Sequence, residues 1–136
     1  MTYRILILGA SYGSLLASKL LMAGHDVTLV CRRGTADLIN RDGTRVRMPI
    51  KGRTEPVVLD SRALPGRLNA VTPSDAQPAA YDLVCLAMQE PQYSADGVRE
   101  LMAAIAAAQV PCMSIMNMPP LPYLARIAGL DARELA

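Results

Sequence analysis

Four short stretches carry residue types that could do chemistry together. Gly9 and Gly13 bracket the end of an apolar run and the start of a helix-like pattern. Arg32 and Arg33 follow a second apolar run, Met88, Gln89 and Gln92 follow a third, and Asn117 follows a fourth. A glycine between a buried strand and a helix lets the backbone approach an anion, and the helix supplies free amides and a partial positive charge to hold it. Arginine directly after the second strand does a different job. A carboxylate there binds ribose hydroxyls, whereas a guanidinium can pair bidentately with a phosphate on the ribose and stack on a purine. The chemistry spelled out is recognition of a dinucleotide that carries an extra phosphate, as NADP does.

The glycine stretch can be counted in two ways. Without gaps, the pattern G-x-G-x-x-G falls on Gly9, Ser11 and Ser14, and a Cβ stands at the second position, where phosphate should come close. Counted backward from Gly24, Gly13 becomes the glycine that packs the helix on the strand. The turn Gly9-Ala10-Ser11-Tyr12-Gly13 is then one residue short. The second count is favoured because Gly13 shares a helical face with Leu16, Ala17 and Leu20. A tight turn that binds nothing, and two arginines that are merely solvated, are the alternatives.

Other chemistries find little support. A single histidine, His25, provides neither a zinc site nor a Ser/His/Asp triad. Cys31, Cys85 and Cys112 lie far apart in or beside apolar runs and read as buried free thiols of a reducing, cytoplasmic setting. Basic residues between Arg41 and Arg67 alternate with acidic ones and have no interleaved aromatics, so nucleic acid is not expected as a partner. The apolar stretch 5–24 is interrupted by Lys19 and serines and reads as strand plus helix, not as a signal sequence or membrane span.

These residues need elements to hold them. At 136 residues, 51% hydrophobic and 19% charged, with a net charge of +2, the chain is expected to form one globular domain over 1–136. The runs 3–8, 26–31, 82–87 and 112–116 have the near-continuous apolar character of strands buried on both faces of a parallel sheet. Helices are expected after the first strand as far as Gly24, over 35–40, around 98–105 with Val98, Leu101, Met102 and Ile105 inward, and over 120–128. Between them, 44–50 and 55–59 read as a hairpin, and 61–80 as mostly loop with a short strand near 68–71. The sum is an α/β, Rossmann-like, doubly wound and mostly parallel sheet, with helices on both faces and a hairpin insertion. Such sheets bind ligands outside the carboxyl ends of their strands, where the four stretches should meet.

The segments "AGHDVTLVCRRG" (23–34), "LINRDGTRV" (38–46), "YDLVCLAMQ" (81–89) and "SIMN" (114–117) resemble the amino-terminal part of ketopantoate (2-dehydropantoate) reductases. The resemblance implies NADPH-dependent hydride transfer to a 2-oxo acid, with Arg32 on the 2'-phosphate, Gln92 bordering the cofactor, and Asn117 near nicotinamide and substrate. The chain departs from that family in three places. The glycine turn is altered, Gln89 stands where the family commonly has lysine, and Met116-Asn117-Met118 replaces a triplet such as Gln-Asn-Gly. The family's carboxyl-terminal helical domain, with its catalytic lysine and substrate-binding glutamate, is not expected within these 136 residues. Neither Lys19 nor Lys51 is placed to replace that lysine.

Two functions are therefore expected, in order. The first is the NADP-binding domain of a ketopantoate-reductase-like enzyme, inactive alone and carrying no catalytic residue or metal site of its own. Its partners would be a small 2-oxo acid, once a second domain completes the site, and further copies of itself in a homo-oligomer. The second is a non-catalytic Rossmann module with a degenerate cofactor loop, used in protein–protein association.

Overall fold

The computed structural model describes residues 1–115, 122, 124–131 and 133. Strand β1, Arg4–Leu8, shows why the sheet sits in the middle of the molecule. Its side chains alternate between faces, and both faces are dry: Ile5 and Ile7 join one apolar cluster and Leu6 and Leu8 the other. A strand with no wet face must be covered by helices on both sides.

Helix α1, Ala10–Met22, supplies the first cover. Gly13, Ala17 and Leu21 recur every four residues and are buried against the Ile5 and Ile7 face. Ser18 is also buried, and its hydroxyl donates to the Ser14 carbonyl at 2.9 Å, so no polar atom is stranded. Gly24, with φ +85, ends the helix and donates to the Leu21 carbonyl at 3.0 Å. Strand β2, Asp26–Val30, then pairs in parallel with β1, Leu8 lying beside Val30. Helix α2, Arg33–Asp42, follows at once and closes on Gly43, whose φ is +72.

The expected hairpin is present as a separate two-stranded antiparallel sheet. It consists of β3, Arg45–Met48, and β4, Val57–Asp60, with Arg45 opposite Asp60 and Met48 opposite Val57. The segment 61–80 holds three short 3-10 turns and the strand β5, Leu68–Val71, which pairs with the outer side of β2. The chain then crosses to the other side of β1. There β6, Leu83–Leu86, pairs with β1, helix α3, Asp96–Ala108, follows, and β7, Cys112–Ser114, lies outside β6.

The five-stranded sheet is parallel throughout, in the order β5-β2-β1-β6-β7. Val98, Leu101, Met102 and Ile105 of α3 are buried on the face of Leu6 and Leu8, with α1 and α2 on the other, which makes a doubly wound α/β fold. Leu124 and Ile127 are buried on the α3 side.

Local differences from the sequence reading have physical causes. The face of α1 runs through Gly13, Ala17 and Leu21, with Leu16 and Leu20 only partly buried, because the helix starts at Ala10 without an intervening loop. Helix α2 is longer than 35–40, since its charged ends carry no apolar periodicity to mark them. The last expected strand is described over Cys112–Ser114, and Met116 lies outside the described residues, as do Asn117 and much of the expected helix 120–128.

Candidate functional site

One residue makes the whole bend from β1 into α1. Gly9 has φ 108 and ψ 113, and a Cβ there would lie 2.5 Å from the Ala87 carbonyl oxygen and 2.8 Å from Met88 Cγ. Its N–H donates to the Val30 carbonyl at 2.9 Å, and its carbonyl accepts the Gly13 N–H at 3.1 Å. The amides of Ala10, Ser11 and Tyr12 therefore occupy the first helical turn, where no intrahelical acceptor exists. No side chain caps them and no acidic residue sits in the turn, so the positive end of α1 is uncompensated.

Gly13 faces the sheet. A Cβ on it would meet Ile7 Cγ2 at 2.7 Å, with Leu29 Cδ2 at 3.5 Å and Ala87 Cβ at 3.6 Å. The neighbouring serine is committed elsewhere, since the Ser14 hydroxyl donates back to the Ala10 carbonyl. The position that brings helix and sheet together is thus Gly13 and not Ser14, as the shortened count requires.

At the end of β2, Arg32 is the N-cap of α2 and Arg33 its first residue; both are exposed. Arg33 pairs with Asp75 at 3.4 Å, and Asp75 is steadied by the Thr72 hydroxyl at 2.9 Å. Arg32 has no ion-pair partner among the described residues. A cation at this end opposes the helix dipole, which favours negative charge.

The segment after β6 is held rigidly. Tyr93 is fully buried and its hydroxyl accepts the Met88 N–H at 3.2 Å, which accounts for the ring as packing. The Gln89 N–H donates to Gln92 Oε1 at 2.8 Å, and the two glutamines cap the short helical turn at Glu90–Ser94 reciprocally. The Gln89 side chain then reaches α1, donating from Nε2 to the Tyr12 hydroxyl at 3.0 Å.

These elements enclose a cleft of about 880 Å³ at the carboxyl ends of the strands. It brings together Gly9, Ala10, Ser11, Arg32, Met88 and Gln92. Tyr12, Gly13, Arg33 and Gln89 do not line it, and Asn117 lies outside the described residues. A cleft of about 610 Å³, bordered by Arg4, Asp26 and Arg67, lies at the opposite, amino-terminal end of the strands.

Part of the lining was not foreseen. Leu38 comes from α2, and Thr44, Arg45 and Val46 from the hairpin, whose β3 lies against α1. Arg45 is 3.5 Å from Asp60, whose carboxyl is held below the usual range first by the Arg62 backbone N–H, then by the Arg62 and Arg45 charges. Thr44 Oγ1 is buried and has no hydrogen-bond partner among the described residues. The only signal for this wall was the Asp42-Gly43 turn, because an alternation of arginine and valine reads equally well as a solvated ribbon.

The arrangement can hold an elongated anion: helix amides at one end, a guanidinium at the other, and apolar surface between. Among the described residues that line it, none is a lysine, histidine, tyrosine or carboxylic acid. Lys19 is in the last turn of α1, Lys51 is in the hairpin connection, and neither lines the cleft. Cys31 does line it, but burial pushes its thiol above the ordinary range. Among the described residues there is no group of three or more metal-ligating side chains, and no helix is long and apolar enough to cross a membrane.

Comparison with known proteins identifies the family and supports the fold. Residues 5–117 match the family model described as ketopantoate reductase PanE/ApbA. A crystal structure from Enterococcus faecalis, assigned by name as a 2-dehydropantoate 2-reductase, aligns over 91% of this chain at 18% identity with a TM-score of 0.58. One from Ralstonia solanacearum MolK2, assigned as a ketopantoate reductase, aligns over 83% at 23% identity with a TM-score of 0.52. The alignments span 37% and 31% of those two chains, and at these identities the likeness is one of fold. A search of the curated proteins gives no match.

Proposed function

The chain belongs to the ketopantoate reductase family, and on that premise we propose that it is the NADP-binding portion of an oxidoreductase that reduces a small 2-oxo acid. Bound NADPH supplies the hydride. What this chain contributes is binding and orientation. Gly9 keeps a Cβ out of the crevice, the amides of Ala10 and Ser11, which line the cleft, donate to the diphosphate, and Arg32 takes the 2'-phosphate. Met88 and Gln92 border the cofactor from the β6 side, and Asn117 is assigned to the nicotinamide and substrate.

The observation that carries this reading is Arg32. It sits without an ion-pair partner among the described residues at the positive end of α2, where a residue chosen for stability would be Ser, Thr, Asp or Asn. An anion at that point would be held by the guanidinium and the helix end together. Arg33, spoken for by Asp75, plays the smaller part.

The proton that must reach the substrate oxygen has no lysine, histidine or carboxylic acid to come from among the described residues of the cleft lining. It is assigned to the family's carboxyl-terminal helical domain, and the 136-residue chain alone is expected to give no useful turnover. The three free thiols fit a reducing, cytoplasmic setting.

Titration of the labelled chain with NADP+, followed through its backbone amide resonances, tests the site itself. The expected shifts concentrate at Gly9, Ala10, Ser11, Arg32 and Gln92. Shifts confined to the amino-terminal cleft at Arg4 and Arg67, or none at all, would overturn the assignment and favour a module for protein–protein association.

A further inference from the structure

The turn after β1 and the segment after β6 touch each other through one residue each, Tyr12 and Gln89. Their side chains meet, the Gln89 Nε2 donating to the Tyr12 phenol oxygen at 3.0 Å. The strand order of the sheet reverses between β1 and β6, and a dinucleotide lies across the crevice at such a reversal. Tyr12 stands on the first turn after β1, and Gln89 stands just after β6. Their bond therefore spans the crevice beside the 880 Å³ cleft without lining it.

The two ends of this bond differ in freedom. Gln89 is fixed, because its side chain accepts from the Gln92 backbone N–H while its own N–H donates to the Gln92 side chain at 2.8 Å. Its Nε2 is left pointing at α1. Tyr12 is 58% exposed and has no other side-chain partner among the described residues, so it can swing away at the cost of one neutral hydrogen bond.

We propose that the Tyr12–Gln89 bond is a clasp that discriminates by ligand length. It rests on the reading of the cleft as an NADP site. A mononucleotide bearing a 2'-phosphate fits between Arg32 and the amides of α1 with the clasp shut. A full dinucleotide has to cross the β1/β6 crevice and opens the clasp first. Tyr12 and Gln89 are thus specificity-determining residues that weaken dinucleotide binding by the worth of one exposed hydrogen bond, about three- to tenfold.

Calorimetric titration of the 136-residue chain with adenosine 2',5'-bisphosphate and with NADP+ provides the test, on the wild type, Tyr12→Phe, Gln89→Ala and the double variant. Tyr12→Phe keeps the ring and removes only the acceptor. It is expected to tighten NADP+ about three- to tenfold and to leave the bisphosphate unchanged. Gln89→Ala should act in the same direction, and the double variant should gain no more than the better single one, because both remove the same bond. An NADP+ affinity that is unchanged or weaker in Tyr12→Phe, with the bisphosphate still bound, overturns the clasp and leaves the NADP reading standing. If the wild type binds neither ligand, the NADP reading falls and the clasp falls with it.

Discussion

Helices α1 and α2 both start directly after a buried parallel strand, α1 from Gly9 and α2 from Arg32, yet the two starts answer to different demands. At α1 the residues are dictated by space. Gly9 and Gly13 are each crowded so closely that a Cβ would collide with the Ala87 carbonyl in one case and the Ile7 side chain in the other. Packing accounts for both, whether or not a phosphate ever binds. At α2 there is no such pressure. Arg32 is exposed, unpaired among the described residues, and placed where its charge is unfavourable. A glycine that the fold requires says little about ligands, whereas a residue that the fold would rather not have says a good deal.

That contrast can be broken most forcefully at Gly9. Gly9→Ala combines a backbone conformation that L side chains avoid with a clash against a carbonyl that cannot move away, and should cost about 3 kcal/mol or more. Gly13→Ala should cost less, roughly 1 kcal/mol net, because the crowding atom is a side-chain methyl and alanine is the better helix former. Urea denaturation of both variants checks the order. A Gly9→Ala variant as stable as wild type would show that space does not dictate the turn.

The next effect concerns the core beneath α1. Burial, with a smaller contribution from Cys112, pushes the Cys85 thiol from 9.0 to about 11. The native state thus keeps this proton after the unfolded chain has lost it. Stability is whole below about pH 9 and is lost as pH rises toward about 11, by on the order of 2 kcal/mol. Cys85→Ala should flatten the fall of the denaturation midpoint across that window. An unchanged slope would mean that the thiol ionises as freely in the fold as out of it.

Smaller effects are expected at α2, where the account forbids large ones. Arg32→Ser exchanges a misplaced cation for a good N-cap and should stabilise the free chain by about 1 kcal/mol. Arg33→Ala removes an ion pair whose side chains are 69% and 59% exposed, and should change stability by no more than about 0.5 kcal/mol. Thermal melts of the two variants separate these outcomes. A loss of stability in Arg32→Ser would mean that Arg32 has a structural role after all.

Much of the fold was legible because buried parallel strands announce themselves. The strands expected at 3–8, 26–31 and 82–87 lie at Arg4–Leu8, Asp26–Val30 and Leu83–Leu86, and Val98, Leu101, Met102 and Ile105 are buried as their spacing implies. Strand β5 was faint, since four residues at a sheet edge inside a proline-containing segment carry little pattern. Of the cleft lining, Gly9, Ala10, Ser11, Arg32, Met88 and Gln92 were legible from chain order alone, whereas Tyr12, Gly13, Arg33 and Gln89, expected with them, do not line it. The hairpin wall of Thr44, Arg45 and Val46 was not legible, because nothing local says that a ribbon outside the main sheet lies against α1. The meeting of Tyr12 with Gln89 was hidden for the same reason, as two exposed polar residues 77 positions apart share no periodicity.

The central claim is that Arg32 is kept for a ligand and against stability, and one paired measurement addresses it. The affinities of NADPH and NADH are compared in the wild type and in Arg32→Ser. The account predicts that the wild type prefers NADPH by roughly ten- to a hundredfold, the worth of charge-assisted hydrogen bonds to the 2'-phosphate. The variant, although the more stable protein, should lose most of that preference. Equal affinities in the wild type, or an undiminished preference in Arg32→Ser, would contradict it.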